Sequence, residues 1–258
     1  MRHLLLTLGS PLGLVLAISM IVAGSVVAAD PFVGTAGNDE LVGTTLPDQI
    51  YGEGGEDTLT GGMGNDYLEA GPGDDQIYGE EGDDLAIGGT GNDDTVGGPG
   101  ADTVYGGPGN DVIDGGPGSD SLFGQAGDDQ ITGGAGVDRI YPSGGRDTVH
   151  AGGGKDIVRS GDGAPTVYGE GGADSISVVT AGDTTIDGGP GNDLIAVGPG
   201  NDKVFAGSGL NNITTGAGND EVFAVNGRRD VIECGGGWDI VHADPVDVIA
   251  DCEQIERR

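Results

Sequence analysis

Basic residues are scarce in this chain of 258 residues. Ten Lys and Arg stand against 43 Asp and Glu, which gives a formal net charge of −33 at pH 7. A surface of this charge repels both the phosphates of nucleic acids and an anionic membrane. The composition therefore excludes nucleic acid as a partner, and we expect no membrane insertion by the mature chain.

Aromatic residues are also few, at 4% of the chain, whereas Gly accounts for 57 residues and Pro for 12. So much Gly and Pro excludes long helices, because both residue types destabilise a helix interior. A small apolar area combined with a large net charge is typical of a disordered chain. The regular repetition of the residues favours a folded chain instead.

The N-terminal segment, residues 1–29, is predicted to be an export signal peptide. It contains a short apolar stretch at residues 12–22 and ends in the small residues Val27-Ala28-Ala29. This pattern is typical of a cleaved signal, and an uncleaved membrane anchor is the alternative. In either case we expect the remainder, which starts with a short lead-in at residues 30–33, to be secreted or held at the cell surface.

Residues 34–242 repeat every nine residues in 23 units, for example GGPGNDVID at residues 106–114. The first six places of the unit are rich in Gly and predict a turn. Asp stands at the sixth place, and the eighth place is apolar, as in Leu41 and Ile50. Places seven to nine therefore predict a very short strand with its middle side chain pointing inward.

Two units close one coil of about 18 residues, so the repeat predicts an all-β fold. We expect a parallel β-solenoid in which two short parallel sheets face each other across a thin apolar core. The units that begin at Val178 and Ala224 each need one extra residue to restore the frame. These extra residues are interpreted as β-bulges.

Stacked coils bring the Asp residues of successive coils about 4.8 Å apart in two columns. Like charges at that distance repel each other, and no column of Lys or Arg neutralises them. A divalent cation held by carboxylate and carbonyl oxygens does so, and an oxygen-only ligand set favours calcium over zinc or copper. Pairs of neighbouring coils that both carry Asp predict about 17 calcium sites.

The unit resembles the Gly-Gly-x-Gly-x-Asp-x-apolar-x nonapeptide of RTX, or haemolysin-type, calcium-binding proteins. The resemblance implies a right-handed parallel β-roll in which ions lie between consecutive turns, held by Asp carboxylates and turn carbonyls. Transferred to this sequence, it implies metal ligands at Asp39, Asp48, Asp57, Asp66, Asp75, Asp84, Asp93, Asp102, Asp111, Asp120, Asp129, Asp138, Asp147, Asp156, Asp174, Asp183, Asp193, Asp202, Asp220 and Asp239.

Three units depart from this pattern at the sixth place, which holds Pro165, Asn211 and Arg229. We expect Asn211 and Arg229 to fray one late column, while the column through Asp183 stays well populated. Toxins and proteases of the family carry their activity in a separate upstream domain. Here the repeats begin a few residues after the predicted signal, so the chain is predicted not to be an enzyme.

Residues 243–258 leave the repeat and are expected to cap the open end of the solenoid. The only two cysteines are Cys234, in the last repeat, and Cys252, in this segment. In an exported protein we expect them to form a disulfide, and two free thiols are the alternative.

Tyr105, Phe123 and Tyr141 stand at ninth places 18 residues apart and predict a ladder of stacked rings on one sheet, with Phe205 and Phe223 on the other. The ladder either stabilises the sheet or binds sugar rings or a partner protein.

The leading prediction is a secreted, non-catalytic β-roll whose folding is driven by calcium. The alternatives are a surface adhesin or matrix protein that binds glycan or protein, and a polysaccharide-modifying enzyme.

Overall fold

The computed structural model describes residues 31–161 and 163–258, together with the backbone of the strand Gly13–Leu14. The predicted export signal otherwise lies outside the described residues. The described chain contains 29 strands, numbered β1 to β29 in chain order, and no helix. Consequently, none of the described residues belongs to a helix that could span a membrane.

Alternate strands belong to two parallel sheets, called sheet A and sheet B. Sheet A contains β1 (Gly13–Leu14), β3 (Asp39–Val42), β5 (Thr58–Met63), β7 (Gln76–Glu81), β9 (Asp94–Val96), β11 (Val112–Gly118), β13 (Gln130–Gly136), β15 (Thr148–His150), β16 (Gly153–Gly154), β18 (Thr166–Tyr168), β19 (Gly171–Gly172), β21 (Thr185–Asp187), β23 (Lys203–Phe205), β25 (Glu221–Phe223), β27 (Ile240–Ala243) and β29 (Gln254–Arg257). Sheet B contains β2 (Phe32–Val33), β4 (Gln49–Tyr51), β6 (Tyr67–Pro72), β8 (Leu85–Thr90), β10 (Thr103–Pro108), β12 (Ser121–Ala126), β14 (Arg139–Gly144), β17 (Ile157–Ser160), β20 (Ser175–Val178), β22 (Leu194–Val197), β24 (Asn212–Ala217), β26 (Val231–Gly236) and β28 (Val248–Ala250).

Neighbouring strands of a sheet pair with residues one coil apart. Leu41 lies opposite Leu59 in sheet A, and Tyr105 lies opposite Phe123 in sheet B. The chain thus alternates between the sheets and forms a parallel β-solenoid of about 12 turns with about 18 residues per coil. The predicted all-β roll with two parallel sheets is confirmed.

The core is a thin double row of apolar side chains, one row from each sheet. Eighth-place residues such as Leu41 and Ile50 are fully buried, while their neighbours along the strand point outward. Strands such as β5 and β11 run for six or seven residues, longer than predicted, because the Gly-rich places that follow continue the parallel pairing. One eighth place among the described residues is polar, since Thr95 lies in register between Ile77 and Ile113.

The two extra residues lie in turns. The offset between paired residues rises from 18 to 19 where Val167 lies opposite Ile186 and where Ile213 lies opposite Ile232. Both insertions fall between strands, the first between β20 and β21 and the second between β25 and β26. The predicted β-bulges are therefore wrong, because a turn absorbs one residue without disturbing a strand ladder.

The C-terminal segment forms a last, shortened coil. Ile249 of β28 lies opposite Ile232, and Ile255 of β29 lies opposite Val241, so both sheets gain one more strand. A disulfide joins Cys234 and Cys252, whose Cα atoms are 5.3 Å apart. The predicted disulfide is confirmed, and it ties the last coil to the one before it.

Candidate metal centres

The sixth-place residues form two buried columns, one at the turn before each sheet. Column A precedes the strands of sheet A and contains Asp39, Asp57, Asp75, Asp93, Asp111, Asp129, Asp147, Pro165, Thr184, Asp202, Asp220 and Asp239. Column B precedes the strands of sheet B and contains Asp48, Asp66, Asp84, Asp102, Asp120, Asp138, Asp156, Asp174, Asp193, Asn211, Asp230 and Asp247. Every Asp of the two columns is at most 6% exposed.

The late part of the columns differs from the sequence-based expectation. Thr184 occupies the buried position expected for Asp183, which is exposed, and Asp230 occupies the one expected for Arg229. Each extra turn residue precedes the sixth place of its unit and shifts that place by one. Column A is therefore interrupted at Pro165 and Thr184, whereas column B is interrupted only by Asn211. All other predicted ligand residues lie in the columns.

Hydrogen bonds connect each column from coil to coil. The main-chain N–H of one Asp donates to the Oδ1 atom of the Asp one coil further along, at 2.7–3.0 Å in 17 Asp-to-Asp steps. Asn211 keeps the pattern, because its Oδ1 accepts the N–H of Asp193 at 2.9 Å. At the end of column A, Glu253 accepts the N–H of Asp239 at 3.0 Å.

The second carboxylate oxygen has no such partner at most positions. It is buried and receives no hydrogen bond from the described protein at Asp57, Asp66, Asp75, Asp84, Asp93, Asp102, Asp111, Asp120, Asp129, Asp138, Asp147, Asp156, Asp174, Asp193, Asp202, Asp220 and Asp239. A buried oxygen without a partner is costly, the more so when it carries charge. Seventeen such atoms in one repeated position therefore suit a positively charged ligand.

At eleven of these 17 positions the first place is Gly, and a Cβ atom there would lie close both to the Oδ2 atom and to a main-chain carbonyl oxygen one coil further along. A Cβ atom on Gly52 would lie 2.5 Å from Asp57 Oδ2 and 2.6 Å from the carbonyl oxygen of Ala70, one coil further along. At Gly97, the corresponding distance to Asp102 Oδ2 is 2.6 Å. At these positions Gly leaves open the space on which the two oxygens converge, whereas the other six positions carry a side chain at the first place, as Ala70 does before Asp75.

The pKa values of the column carboxylates are raised by their burial and by their neighbours in the column. Burial raises the pKa of Asp75, Asp93 and Asp111 to about 6 and that of Asp102 to about 7. The hydrogen bond from the preceding coil lowers the pKa of each group, but not enough to offset burial, and neighbouring carboxylates raise it further. At neutral pH the metal-free columns thus hold buried carboxylates that favour either a proton or a cation.

The donor set fits a hard divalent cation. In the described residues, no three His, Cys, Asp or Glu side chains converge on one point, so an ion would need main-chain carbonyls beside one or two carboxylates. Calcium prefers such oxygen ligands and tolerates irregular geometry. The electrostatic demand is large, because two carboxylates about 4.8 Å apart repel by roughly 3.5 kcal/mol at an effective dielectric constant of about 20.

A family model described as the RTX calcium-binding nonapeptide repeat, in four copies, matches nine overlapping or adjacent segments within residues 33–229. The chain belongs to the RTX repeat family. RTX nonapeptide repeats bind calcium, which agrees with the oxygen-only donor set of the two columns. No curated protein matches the chain.

The RTX roll carries a second polar ladder that the sequence analysis missed. At the fifth place, the Asn92 N–H donates to Asp74 Oδ1 at 2.7 Å, and the Asn110 N–H donates to Asn92 Oδ1 at 2.9 Å. These bonds run in the opposite direction to those of the columns and lie at the surface. Asp183 belongs to this ladder, since its Oδ1 accepts the N–H of Asn201. The signal is the frequent Asn or Asp just before the column residue.

The predicted aromatic ladder is stacked on the outer face of sheet B. The ring centroids of Tyr105 and Phe123 are 4.6 Å apart and those of Phe123 and Tyr141 are 4.9 Å apart, with interplanar angles of 11° and 7°. In sheet A, Phe205 and Phe223 stack in the same way at 4.9 Å. The inner ring faces cover one another, which leaves no room for a sugar ring between them. This geometry supports the structural interpretation of the ladder.

Proposed function

We propose that this RTX-repeat protein is a secreted, non-catalytic calcium-binding β-roll in which calcium between successive turns drives folding. The observation that carries the proposal is the set of 17 buried carboxylate oxygens without a donor. The proximity of main-chain carbonyl oxygens at the positions with a first-place Gly, as at Asp57 and Ala70, supports it. When bound, calcium supplies the positive charge that the sequence does not provide there.

The charge balance supports coupling between calcium binding and folding. One doubly charged ion per unpartnered oxygen would bring about 34 positive charges, against a formal net charge of −33. Without ions, the columns bring like charges together in a thin core that offers little compensating apolar area. Binding and folding are then one event, as in other small metal-dependent domains.

The proposed location follows from the same coupling. Extracellular modules bind calcium with dissociation constants in the millimolar range, so such sites fill outside the cell. A highly charged chain that stays unfolded without calcium can cross a membrane before it folds. The predicted export signal at residues 1–29 supports this route. The chain would fold after export, where calcium is available.

A matched pair of variants tests the proposal. Asp111 is buried in column A, whereas Asp114 is exposed on the outer face three residues later. We expect Asp111→Asn to lose calcium from its site and to raise the calcium concentration at which the protein folds, because one anionic ligand is gone. Asp114→Asn should leave both quantities unchanged. Calorimetric titration of the whole protein measures them, and equal effects of the two variants would contradict the role of the columns.

A further inference from the structure

Two carboxylates at the start of the columns differ from most of the others, because the protein itself satisfies their second oxygen. Asp39 Oδ2 accepts hydrogen bonds from the N–H and the hydroxyl group of Thr35, at 2.6 and 2.8 Å. Asp48 Oδ2 accepts the same pair of bonds from Thr44, also at 2.6 and 2.8 Å. Neither oxygen needs a cation to have a partner.

The backbone explains why these two turns behave differently. The second place of the unit usually adopts a positive φ, as in Gly62 at 110° and in the non-glycine residues Glu53 at 77° and Glu80 at 72°. Thr35 and Thr44 stand at the same place without a positive φ. In this alternative turn, the second-place N–H points at the carboxylate of its own unit.

A different donor performs the same task near the other end of column B. The side-chain amide of Asn226 donates to Asp230 Oδ2 at 2.9 Å and to the carbonyl oxygen of Gly207 at 3.0 Å. A carboxylate oxygen and a carbonyl oxygen from the neighbouring coil thus share one amide group. At Asp57, where the nearby carbonyl oxygen belongs to Ala70 in the following coil, the carboxylate oxygen has no donor.

We propose that Thr35, Thr44 and Asn226 take the place of calcium at Asp39, Asp48 and Asp230, so that protein donors bound the ion array at the start of both columns and at the late end of column B. This inference rests on the proposed function. The last residue of column B, Asp247, is also satisfied by the protein, because its Oδ2 accepts the N–H of Asp244 at 2.7 Å. The repeat begins at residue 34, so an ion at Asp39 would have no ligand from an earlier repeat unit. The protein donors satisfy Oδ2 of both carboxylates at that end, the atom that lacks a partner elsewhere in the columns, although Oδ1 of Asp48 is buried without a hydrogen bond.

The test is the number of calcium ions bound per chain, measured by native mass spectrometry at saturating calcium. The double variant Thr35→Gly/Thr44→Gly restores Gly at both second places and removes both hydroxyl donors. We expect it to bind two more ions than the wild-type protein. Asn226→Asp replaces the donor with a second carboxylate beside Asp230 and should bind one more.

Two control variants separate capping from an unspecific effect of changing a turn residue on the number of bound ions. Thr35→Ser/Thr44→Ser keeps both donors and should bind the wild-type number of ions. Glu53→Gly/Glu80→Gly changes second places that already have a positive φ and should also leave the number unchanged.

The outcomes distinguish this inference from the proposed function. Equal ion numbers in the wild-type protein, the Thr-to-Gly variant and Asn226→Asp would overturn capping while leaving calcium binding intact. A wild-type protein that binds no calcium would overturn the proposed function itself. Hydrogen exchange of the calcium-loaded wild-type protein gives an independent check, because the amide protons of Thr35 and Thr44 should exchange slowly. Rapid exchange at both would contradict the capping bonds.

Discussion

The main-chain N–H of Asp93 donates a hydrogen bond of 2.9 Å to Oδ1 of Asp111, one coil further along column A. The Oδ2 atom of the same Asp111 carboxylate is buried and receives no hydrogen bond from the protein. One oxygen of the side chain therefore holds two coils in register, and the other creates the need for a cation. Sixteen of the 17 Asp-to-Asp steps repeat this division, and the exception is Asp247, whose Oδ2 accepts the N–H of Asp244. The same side chains therefore connect the coils and create the need for cations.

Removing one column charge should have opposite effects with and without calcium. In Asp102→Asn, the amide oxygen can still accept the N–H of the preceding coil, as Asn211 does. We expect the variant to be more stable than the wild-type protein in chelator, because a buried charge is lost, and less stable in calcium, because a ligand is lost. Thermal melting in both conditions checks this. A shift in the same direction in both would contradict it, and Asp114→Asn is the control.

Metal-free protein should gain structure on acidification. The folded-state pKa of column residues such as Asp75, Asp93 and Asp102 is raised from 3.8 to about 6 or 7, chiefly by burial. Groups of this kind contribute stability that is fully present below the unfolded pKa and is lost as the pH rises through the folded pKa. In chelator, the circular dichroism strand signal should therefore grow as the pH falls from 7.5 to 5. A signal that stays constant or shrinks over that range would contradict the columns' burial.

The aromatic ladder should matter for stability rather than for binding. Replacing Tyr105, Phe123 and Tyr141 with Ser removes two stacked pairs, each worth roughly 0.5–1.5 kcal/mol beyond the area that it buries. We expect a lower melting temperature in calcium and unchanged retention on polysaccharide. Tyr78→Ser is the control, since in the described chain that ring stacks on no other aromatic ring. Loss of retention only in the ladder variant would restore the adhesin hypothesis.

One core substitution should stabilise the roll. Thr95 is 1% exposed, and its hydroxyl group has no hydrogen-bond partner between Ile77 and Ile113. Thr95→Val keeps the shape and removes the buried polar atom, which should stabilise the calcium-loaded protein by about 1–2 kcal/mol. Denaturant unfolding measures the gain. The outward-facing Thr103→Val should change little, and a destabilised Thr95→Val would show that the hydroxyl is needed.

The nine-residue period was enough to predict the coil, the inward eighth place and most members of both columns. It failed where a turn holds an extra residue, because counting forward from the start of the unit selected Asp183 and Arg229. Counting back from the strand selects Thr184 and Asp230, and the structure places these two in the columns. A turn tolerates an insertion whereas a strand ladder does not. The sixth place is therefore located more reliably by counting back from the strand than by counting forward from the start of the unit.

The donors that satisfy individual carboxylates could not be predicted from the period. Thr35 is visible in the sequence as a departure from Gly, but its double hydrogen bond to Asp39 depends on a backbone angle that the sequence does not specify. The same holds for Asn226, because the amide reaches Asp230 only through the longer turn. If these donors replace calcium as proposed, the number of ions bound depends on turn geometry and not on Asp count alone.

The central claim is that the columns require dications at neutral pH, and the radius of gyration of metal-free protein at pH 7.5 tests it most directly. The account predicts an expanded chain of about 50 Å by small-angle X-ray scattering in chelator and a compact particle of roughly 17–20 Å after calcium is added. Metal-free protein that is already compact at this pH and melts cooperatively would contradict it.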